Sequence, residues 1–142
     1  MRAASGAGMV LAVFLWAAPA RAAENEVSGS AAWFTESGAA LAVTLGHFWD
    51  IAGISLGPRV GFGYFTNPNS AAVPIDLVAR IGLGTLYLEG QVGVWLVFAR
   101  DPVARFHATG GVGLSFGFLR VGAEGGYLSS GGLIGGRVSF AF

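Results

Sequence analysis

The chain has no cysteine and no lysine, and charged residues make up only 11% of its 142 residues. The absence of cysteine excludes disulfide bonds, thiolate metal sites and a lipoprotein anchor. The eight basic residues are all arginine and are balanced by eight acidic residues. Because the chain has no excess of positive charge to form a basic patch, the sequence predicts no nucleic-acid partner.

Residues 1–22 have the pattern of a secretory signal peptide. A short positive start is followed by an apolar segment from Met9 to Ala18, and Ala20-Arg21-Ala22 has small residues where a signal peptidase cleaves. The alternative is an N-terminal membrane anchor, but the apolar segment is short for a spanning helix, which needs about 20 residues. We therefore predict a cleaved signal peptide over 1–22 and a single exported domain over 23–142.

The exported domain also lacks a long hydrophobic run. No uncharged apolar segment after residue 22 reaches the roughly 18 residues that a spanning helix needs. The chain is nevertheless 54% hydrophobic, and its 24 glycines are too frequent and too evenly spread for stable helices. An apolar chain without helical spans can still cross a bilayer as a closed β-barrel.

The apolar segments alternate between two kinds of side chain, as strands with two different faces do. One face carries Val, Leu, Ile or Phe, and the other carries glycine, small polar residues or charge. The charged residues of the second face are Arg59, Asp76, Arg80, Glu89, Arg105, Arg120, Glu124 and Arg137. A glycine-rich polar face opposite a hydrocarbon face is typical of an outer-membrane β-barrel, with the charges in the lumen. We expect the glycines, such as Gly113 and Gly122, to leave room for the long arginines.

The predicted fold is an all-β, eight-stranded, antiparallel, up-and-down transmembrane β-barrel. Its strands are expected at 27–35, 39–48, 53–66, 73–83, 86–98, 105–116, 119–128 and 133–142. The first is weakly patterned and is included because such barrels have an even number of strands. Two-residue turns at 84–85 and 117–118 are expected to alternate with longer loops around 66–72, 100–102 and 129–132, as periplasmic turns alternate with extracellular loops.

Turn lengths predict two ion pairs in the lumen. The turn at 84–85 places Leu83 opposite Leu86, so that Arg80 faces Glu89. On this basis Arg80→Leu is expected to leave Glu89 buried and unpaired.

A four-residue loop at 129–132 places Leu128 opposite Leu133, and Glu124 then faces Arg137. Eight strands enclose a lumen just wide enough to be filled by side chains. The sequence therefore favours a plugged, salt-bridged polar lumen, and a narrow pore for small solutes is the alternative.

The other polar residues predicted in the lumen are Arg59, Asp76, Arg105, His107 and Arg120. His47 and His107 lie too far apart in strand order and depth to share a metal, so no metal, cofactor or catalytic residue is predicted. A nucleophilic group could be formed by His107, Thr109 and Glu124. This group would point into the lumen, where no acyl chain can reach. A lipid-modifying enzyme is therefore only the second alternative, after the narrow pore.

Aromatic residues are expected to form two girdles at the membrane surfaces. Tyr64, Phe98, Phe106 and Tyr127 fall toward the longer loops, and Phe116, Phe140 and Phe142 toward the short turns. A secreted soluble barrel with an apolar ligand is the rival interpretation, but it would expose the face of glycine, arginine and glutamate to solvent.

Val138, Phe140 and Phe142 alternate outward at the end of the chain. This ending resembles the C-terminal signature of bacterial outer-membrane β-barrel proteins, which the barrel-insertion machinery recognises. With the signal peptide and the eight-strand plan, the chain resembles the small-barrel class that includes the OmpA transmembrane domain and OmpX. The resemblance implies a monomer in the bacterial outer membrane, in contact with outer-membrane lipid and the insertion machinery. Members of this class serve as envelope stabilisers, adhesins or small enzymes, and the fold does not choose among them. The long protruding strands of adhesive members are missing here, and the plugged lumen favours a non-enzymatic structural or envelope-integrity role.

Overall fold

The computed structural model of the chain describes residues 23–35, 38–129 and 131–142. The predicted signal peptide lies outside the described residues, and its cleavage stays a prediction. The described residues form eight strands: β1 (Glu24–Phe34), β2 (Gly38–Ile51), β3 (Ile54–Thr66), β4 (Asn69–Leu83), β5 (Leu86–Phe98), β6 (Val103–Phe116), β7 (Leu119–Leu128) and β8 (Gly131–Ala141). None of the described residues forms a helix long and apolar enough to cross a membrane.

Each strand pairs antiparallel with its neighbours in sequence, and β8 pairs with β1 to close the barrel. The predicted fold class is therefore confirmed. Backbone hydrogen bonds between Asn25 and Phe142, at 3.1 and 2.9 Å, extend the β1–β8 seam beyond the last residue of β8. A closed barrel pairs the backbone of every strand on both sides, so the sheet has no free edge.

Two-residue connections at 52–53, 84–85 and 117–118 lie at one end of the barrel, called here the turn end. Gly53, Gly84 and Gly117 take positive φ in them, a conformation that glycine adopts without steric cost. The opposite end is the loop end, with connections at 35–37, 67–68, 99–102 and 129–130. The predicted longer loop around 100–102 is confirmed by the connection at 99–102, whereas those at 66–72 and 129–132 are wrong, because 69–72 already belong to β4 and 131–132 to β8.

Two strand registers were predicted, and the structure agrees with one of them. In the β4–β5 pair Leu83 lies opposite Leu86, as the two-residue turn requires, which confirms that register. In the β7–β8 pair Leu128 lies opposite Gly131 instead of Leu133, so the predicted register is wrong by two residues. The error arises because Gly131 and Gly132 extend β8 instead of lengthening the loop.

The outer face of the barrel is apolar along its whole height. Large hydrophobic side chains such as Leu45, Phe62, Val92 and Ile134 are exposed there. The aromatic residues predicted for the two girdles are also exposed: Tyr64, Phe98, Phe106 and Tyr127 near the loop end, and Phe116, Phe140 and Phe142 near the turn end. The hydrophobic surface of this fold therefore faces outward, and its polar residues face the lumen.

Candidate functional site

The lumen contains two layers of different chemistry. Its loop end is filled by an apolar cluster, called here the aromatic plug: Phe34, Ala40, Ala42, Phe65, Ala72, Trp95, Val97, Leu128 and Leu133. Its turn end is filled by charged side chains, called here the ion network: Glu24, Glu26, Arg59, Arg80, Glu89, Arg120, Glu124 and Arg137, with Gln91 among them. The predicted polar lumen thus describes only one half of the interior.

The aromatic plug is built from three rings on alternate strands. The Phe34 and Phe65 ring centroids lie 5.5 Å apart, and the Trp95 ring lies 6.1 Å from the first and 5.3 Å from the second. Edge-to-face and tilted contacts at these separations stabilise aromatic pairs beyond the area they bury. All three side chains are buried, so the plug closes the lumen just below the loops.

Glu26 lies at the centre of one half of the ion network and is fully buried. Its carboxylate accepts from Arg59 Nη2 at 2.8 Å, and it lies 2.9 Å from Arg80 Nη2 and 3.0 Å from Arg120 Nη1. Glu24, one outward step along the same face of β1, binds Arg120 at 2.6 and 2.9 Å. Glu24 is part of the turn-end mouth, since its side chain is 37% exposed.

Glu89 is the second centre of the network. Its oxygens lie 2.6 Å from Arg80 Nη2, 2.6 Å from Arg137 Nη1 and 3.1 Å from Arg59 Nη1. Arg80 and Glu89 are directly opposite each other in the β4–β5 pair, as the turn at 84–85 predicts. Arg80→Leu would not leave Glu89 unpaired as expected, because two further arginines bind it.

The predicted partners Glu124 and Arg137 are close but are not opposite each other. Glu124 lies opposite Gly135, and Arg137 lies opposite Gly122. The side chains reach diagonally across the strands, and Arg137 Nη2 lies 2.7 Å from Glu124 Oε2. Gln91 links the two halves of the network, since its side-chain oxygen accepts from Arg59 at 2.9 Å and Arg137 at 3.1 Å.

The network contains four arginines and four glutamates, so its formal charges cancel. Buried charges are tolerated only when partners compensate for lost hydration, and each unpaired charge costs several kcal/mol. Phe48 and Tyr87 add ring faces to this layer, with the Arg80 guanidinium carbon 4.9 Å from the Phe48 centroid and 5.4 Å from the Tyr87 centroid. The arrangement stabilises a filled interior more readily than an open bore.

The lumen glycines make room chiefly for rings and neighbouring backbone. A Cβ at Gly122 would collide with the Tyr87 hydroxyl, and one at Gly113 would lie 2.5 Å from the same oxygen. The expectation that these two glycines accommodate arginine is therefore wrong. Tyr87 occupies their space and presents its ring to the Arg80 guanidinium.

A third polar group lies between the two layers. His107 Nδ1 lies 3.0 Å from Asp76 Oδ1, and the His107 ring lies 5.4 Å from the Trp95 ring. His107 is 3% exposed. The hydrogen-bond partner of its Nδ1 is thus Asp76 and not Glu124, which binds Arg137. The nucleophilic arrangement of His107, Thr109 and Glu124 is not assembled.

The remaining predicted lumen residues are divided between the ends. Arg59 and Arg120 belong to the ion network, whereas Arg105 lies near the loop end with its guanidinium carbon 5.8 Å from the Phe65 centroid. No cluster of three or more potential metal ligands occurs among the residues that the structure describes.

Sequence reasoning missed Glu24, Glu26 and Gln91 in the network and the three rings of the plug. The two glutamates alternate with Asn25 and continue the polar face of Ser28 and Ser30, a pattern that could have placed them in the lumen. Phe65 is an even number of residues from Arg59 on β3, and Trp95 is an even number of residues from Glu89 on β5. This spacing alone places them in the lumen.

No protein-family model matches the sequence. No curated protein matches it significantly either. Among solved structures, the chain is similar to a transmembrane β-barrel from a de novo design study, with a TM-score of 0.68 and 14% identity over 84% of this chain and 95% of that one.

The chain is also similar to the N-terminal β-barrel domain of Pseudomonas aeruginosa OprF, with a TM-score of 0.60 and 14% identity over 84% of this chain and 97% of that one. It is similar as well to Neisserial surface protein A, with a TM-score of 0.50 and 10% identity over 84% of this chain and 96% of that one. The predicted resemblance to small outer-membrane barrels is therefore confirmed at the level of the fold.

Proposed function

We propose that this protein is a small barrel of the bacterial outer membrane with a closed lumen and a structural, envelope-integrity role. The observation that carries the proposal is the filling of the lumen by two successive layers, the aromatic plug and the ion network. A solute entering from the loop end would first meet Phe34, Phe65 and Trp95, which contact one another. From the turn end it would meet arginines already bound to glutamates.

The cavities inside these layers support the same proposal. One, lined by Trp95, His107 and Arg137, has a volume of about 10 Å³, and another, lined by Tyr87, Glu89 and Glu124, is of the same size. Each is comparable to a single water-sized probe. Opening a passage would require the aromatic rings to move and several buried ion pairs to separate, which is costly in a low-dielectric interior.

The apolar outer face supports a membrane location. A soluble barrel would leave Leu41, Val43, Leu45 and their neighbours in water, as an apolar patch much larger than soluble monomers expose. In a bilayer the same residues contact lipid tails, and the outward aromatics lie at the headgroup levels. Outer-membrane lipid is accordingly the proposed surrounding of a monomeric barrel. Val138, Phe140 and Phe142 face outward as the proposed recognition element for the insertion machinery.

Planar-bilayer recordings of the refolded protein test the closed lumen. We expect no defined conductance steps at protein levels where a porin in the same bilayer gives regular steps. Reproducible unitary steps would overturn the closed-lumen proposal and favour the narrow pore. Extraction of the folded protein into buffer without detergent would instead contradict the membrane location.

A further inference from the structure

Five buried side-chain atoms have no hydrogen-bond partner among the residues that the structure describes: Arg59 Nε, Ser70 Oγ, Arg80 Nη1, Trp95 Nε1 and Arg137 Nε. Three of these atoms belong to residues that line the same cavity, namely Arg59, Trp95 and Arg137. Their side chains are all at least nine-tenths buried. A buried donor left without an acceptor is unfavourable, so three residues with such donors in the lining of one cavity indicate an occupant.

The position of this cavity is informative. Its lining includes Asp76 and His107 as well as Glu124, so it lies between the aromatic plug and the ion network. Its volume is about 10 Å³, which is about the minimum that holds one water molecule. An organic molecule is therefore excluded by size.

The charges of the lining decide between a water molecule and an anion. The three unpartnered atoms are all N–H donors, and any occupant must accept hydrogen bonds from them. The guanidinium groups of Arg59 and Arg137 are balanced by the carboxylates of Asp76 and Glu124. A halide would be repelled by both carboxylates. Water can accept from the N–H groups and donate to the carboxylates.

We propose that this cavity is a water-binding site, and that one ordered water molecule joins the Asp76–His107 pair to the ion network. The water accepts from the Trp95 indole N–H and from the Nε–H of Arg59 or Arg137, and it donates to Asp76 or Glu124. It makes the polar contents of the lumen one connected network across the boundary with the plug.

Solution NMR of the refolded protein in micelles provides one test. Trp33→Phe/Trp49→Phe removes the other two indoles of residues 23–142 and leaves Trp95 as the single indole N–H there. We expect a rotating-frame Overhauser cross-peak between this proton and water. Its sign should be opposite to that of the diagonal, because a peak from proton exchange would have the same sign as the diagonal. A folded barrel without such a peak would overturn the proposal.

A high-resolution crystal structure of the unsubstituted protein, grown with bromide in place of chloride, provides the second test and needs no variant. Density in the cavity without anomalous signal, within hydrogen-bond distance of two of the three donors, is the expected result. An anomalous peak there would show that the occupant is an anion and would overturn the assignment of water. An empty cavity would overturn the site altogether.

Discussion

The acidic residues of the lumen differ in the number of arginines they bind, and their contributions to stability should therefore be unequal. Glu26 and Glu89 are each contacted by three guanidinium groups, whereas Glu24 lies at the mouth and is partly exposed. Stability should therefore depend on depth in the lumen more than on the number of charges.

Glu26→Gln removes a buried charge while preserving its shape. We expect the free energy of unfolding to fall by about 3–5 kcal/mol, because the buried Arg59 and Arg80 and the partly buried Arg120 lose a carboxylate partner. Urea unfolding in phospholipid vesicles measures it. Glu24→Gln is the matched control, and we expect it to change the free energy by less than about 1 kcal/mol, since a partly exposed pair contributes little. Equal losses for the two variants would contradict this ranking.

For single residues, the sequence predicts which charged side chains lie in the lumen but not which arginines bind the same glutamate. Arg80 and Glu89 could be paired because a two-residue turn fixes their register. The three-way contacts of Glu26 could not be predicted, since they join β1 to β3, β4 and β7 across the lumen. Such contacts depend on the curvature of the closed barrel, which no local pattern encodes.

Strands β5, β6 and β7 depend on the close approach of Tyr87 to two glycines. Gly122→Ala should lower the free energy of unfolding by about 1–3 kcal/mol, because the new methyl group overpacks the Tyr87 hydroxyl. Gly90→Ala is the control, since a Cβ there meets nothing within 4 Å, and its effect should stay within about 0.5 kcal/mol. Adding Tyr87→Phe to Gly122→Ala should recover part of the loss. No recovery would show that Tyr87 is not the obstacle.

The register of β7 and β8 can be tested by cross-linking, because the chain has no cysteine of its own. Val121 and Val138 are directly opposite on the outer face, so Val121→Cys/Val138→Cys should oxidise to a disulfide. Ala123→Cys/Val138→Cys, the pair that the sequence-predicted register would align, is offset by two residues, about 7–8 Å between Cα atoms. This separation is too long for an unstrained disulfide. Non-reducing gels distinguish the two, and preferential cross-linking of the second pair would favour the predicted register.

Strand boundaries were predictable where a turn is marked by chemistry and not where glycine is ambiguous. Strands β5 and β7 have the predicted bounds because Gly84-Thr85 and Gly117-Phe118 interrupt the alternation between them and their neighbours. The residues after β7 gave no such signal, because Gly131 and Gly132 suit either a loop or a strand. The error of two residues followed from that ambiguity.

For the whole barrel, the outer face should behave as a surface adapted to hydrocarbon. Val92→Arg, at the middle of β5, should lower the free energy of unfolding in vesicles by about 2–4 kcal/mol, the usual cost of a cation at the bilayer midplane. Ile51→Arg, at the turn end of β2, should cost no more than about 1 kcal/mol, because the side chain can reach the interface. Similar costs at both sites would contradict a transmembrane placement.

The fold as a whole was predictable because alternation, glycine content and the absence of helical spans all lead to a closed barrel. The division of the lumen was not, because Phe65 and Trp95 are apolar themselves and belong to the lumen face only by their parity with Arg59 and Glu89. Composition identifies the polar face. It does not reveal that apolar residues share that face at one end.

The connections of two to four residues have a consequence outside the membrane. They make the loop end nearly flush with its strands, and exposed loop tips are the preferred sites at which proteases cleave a folded protein. A barrel with this outline offers such agents very little extended peptide.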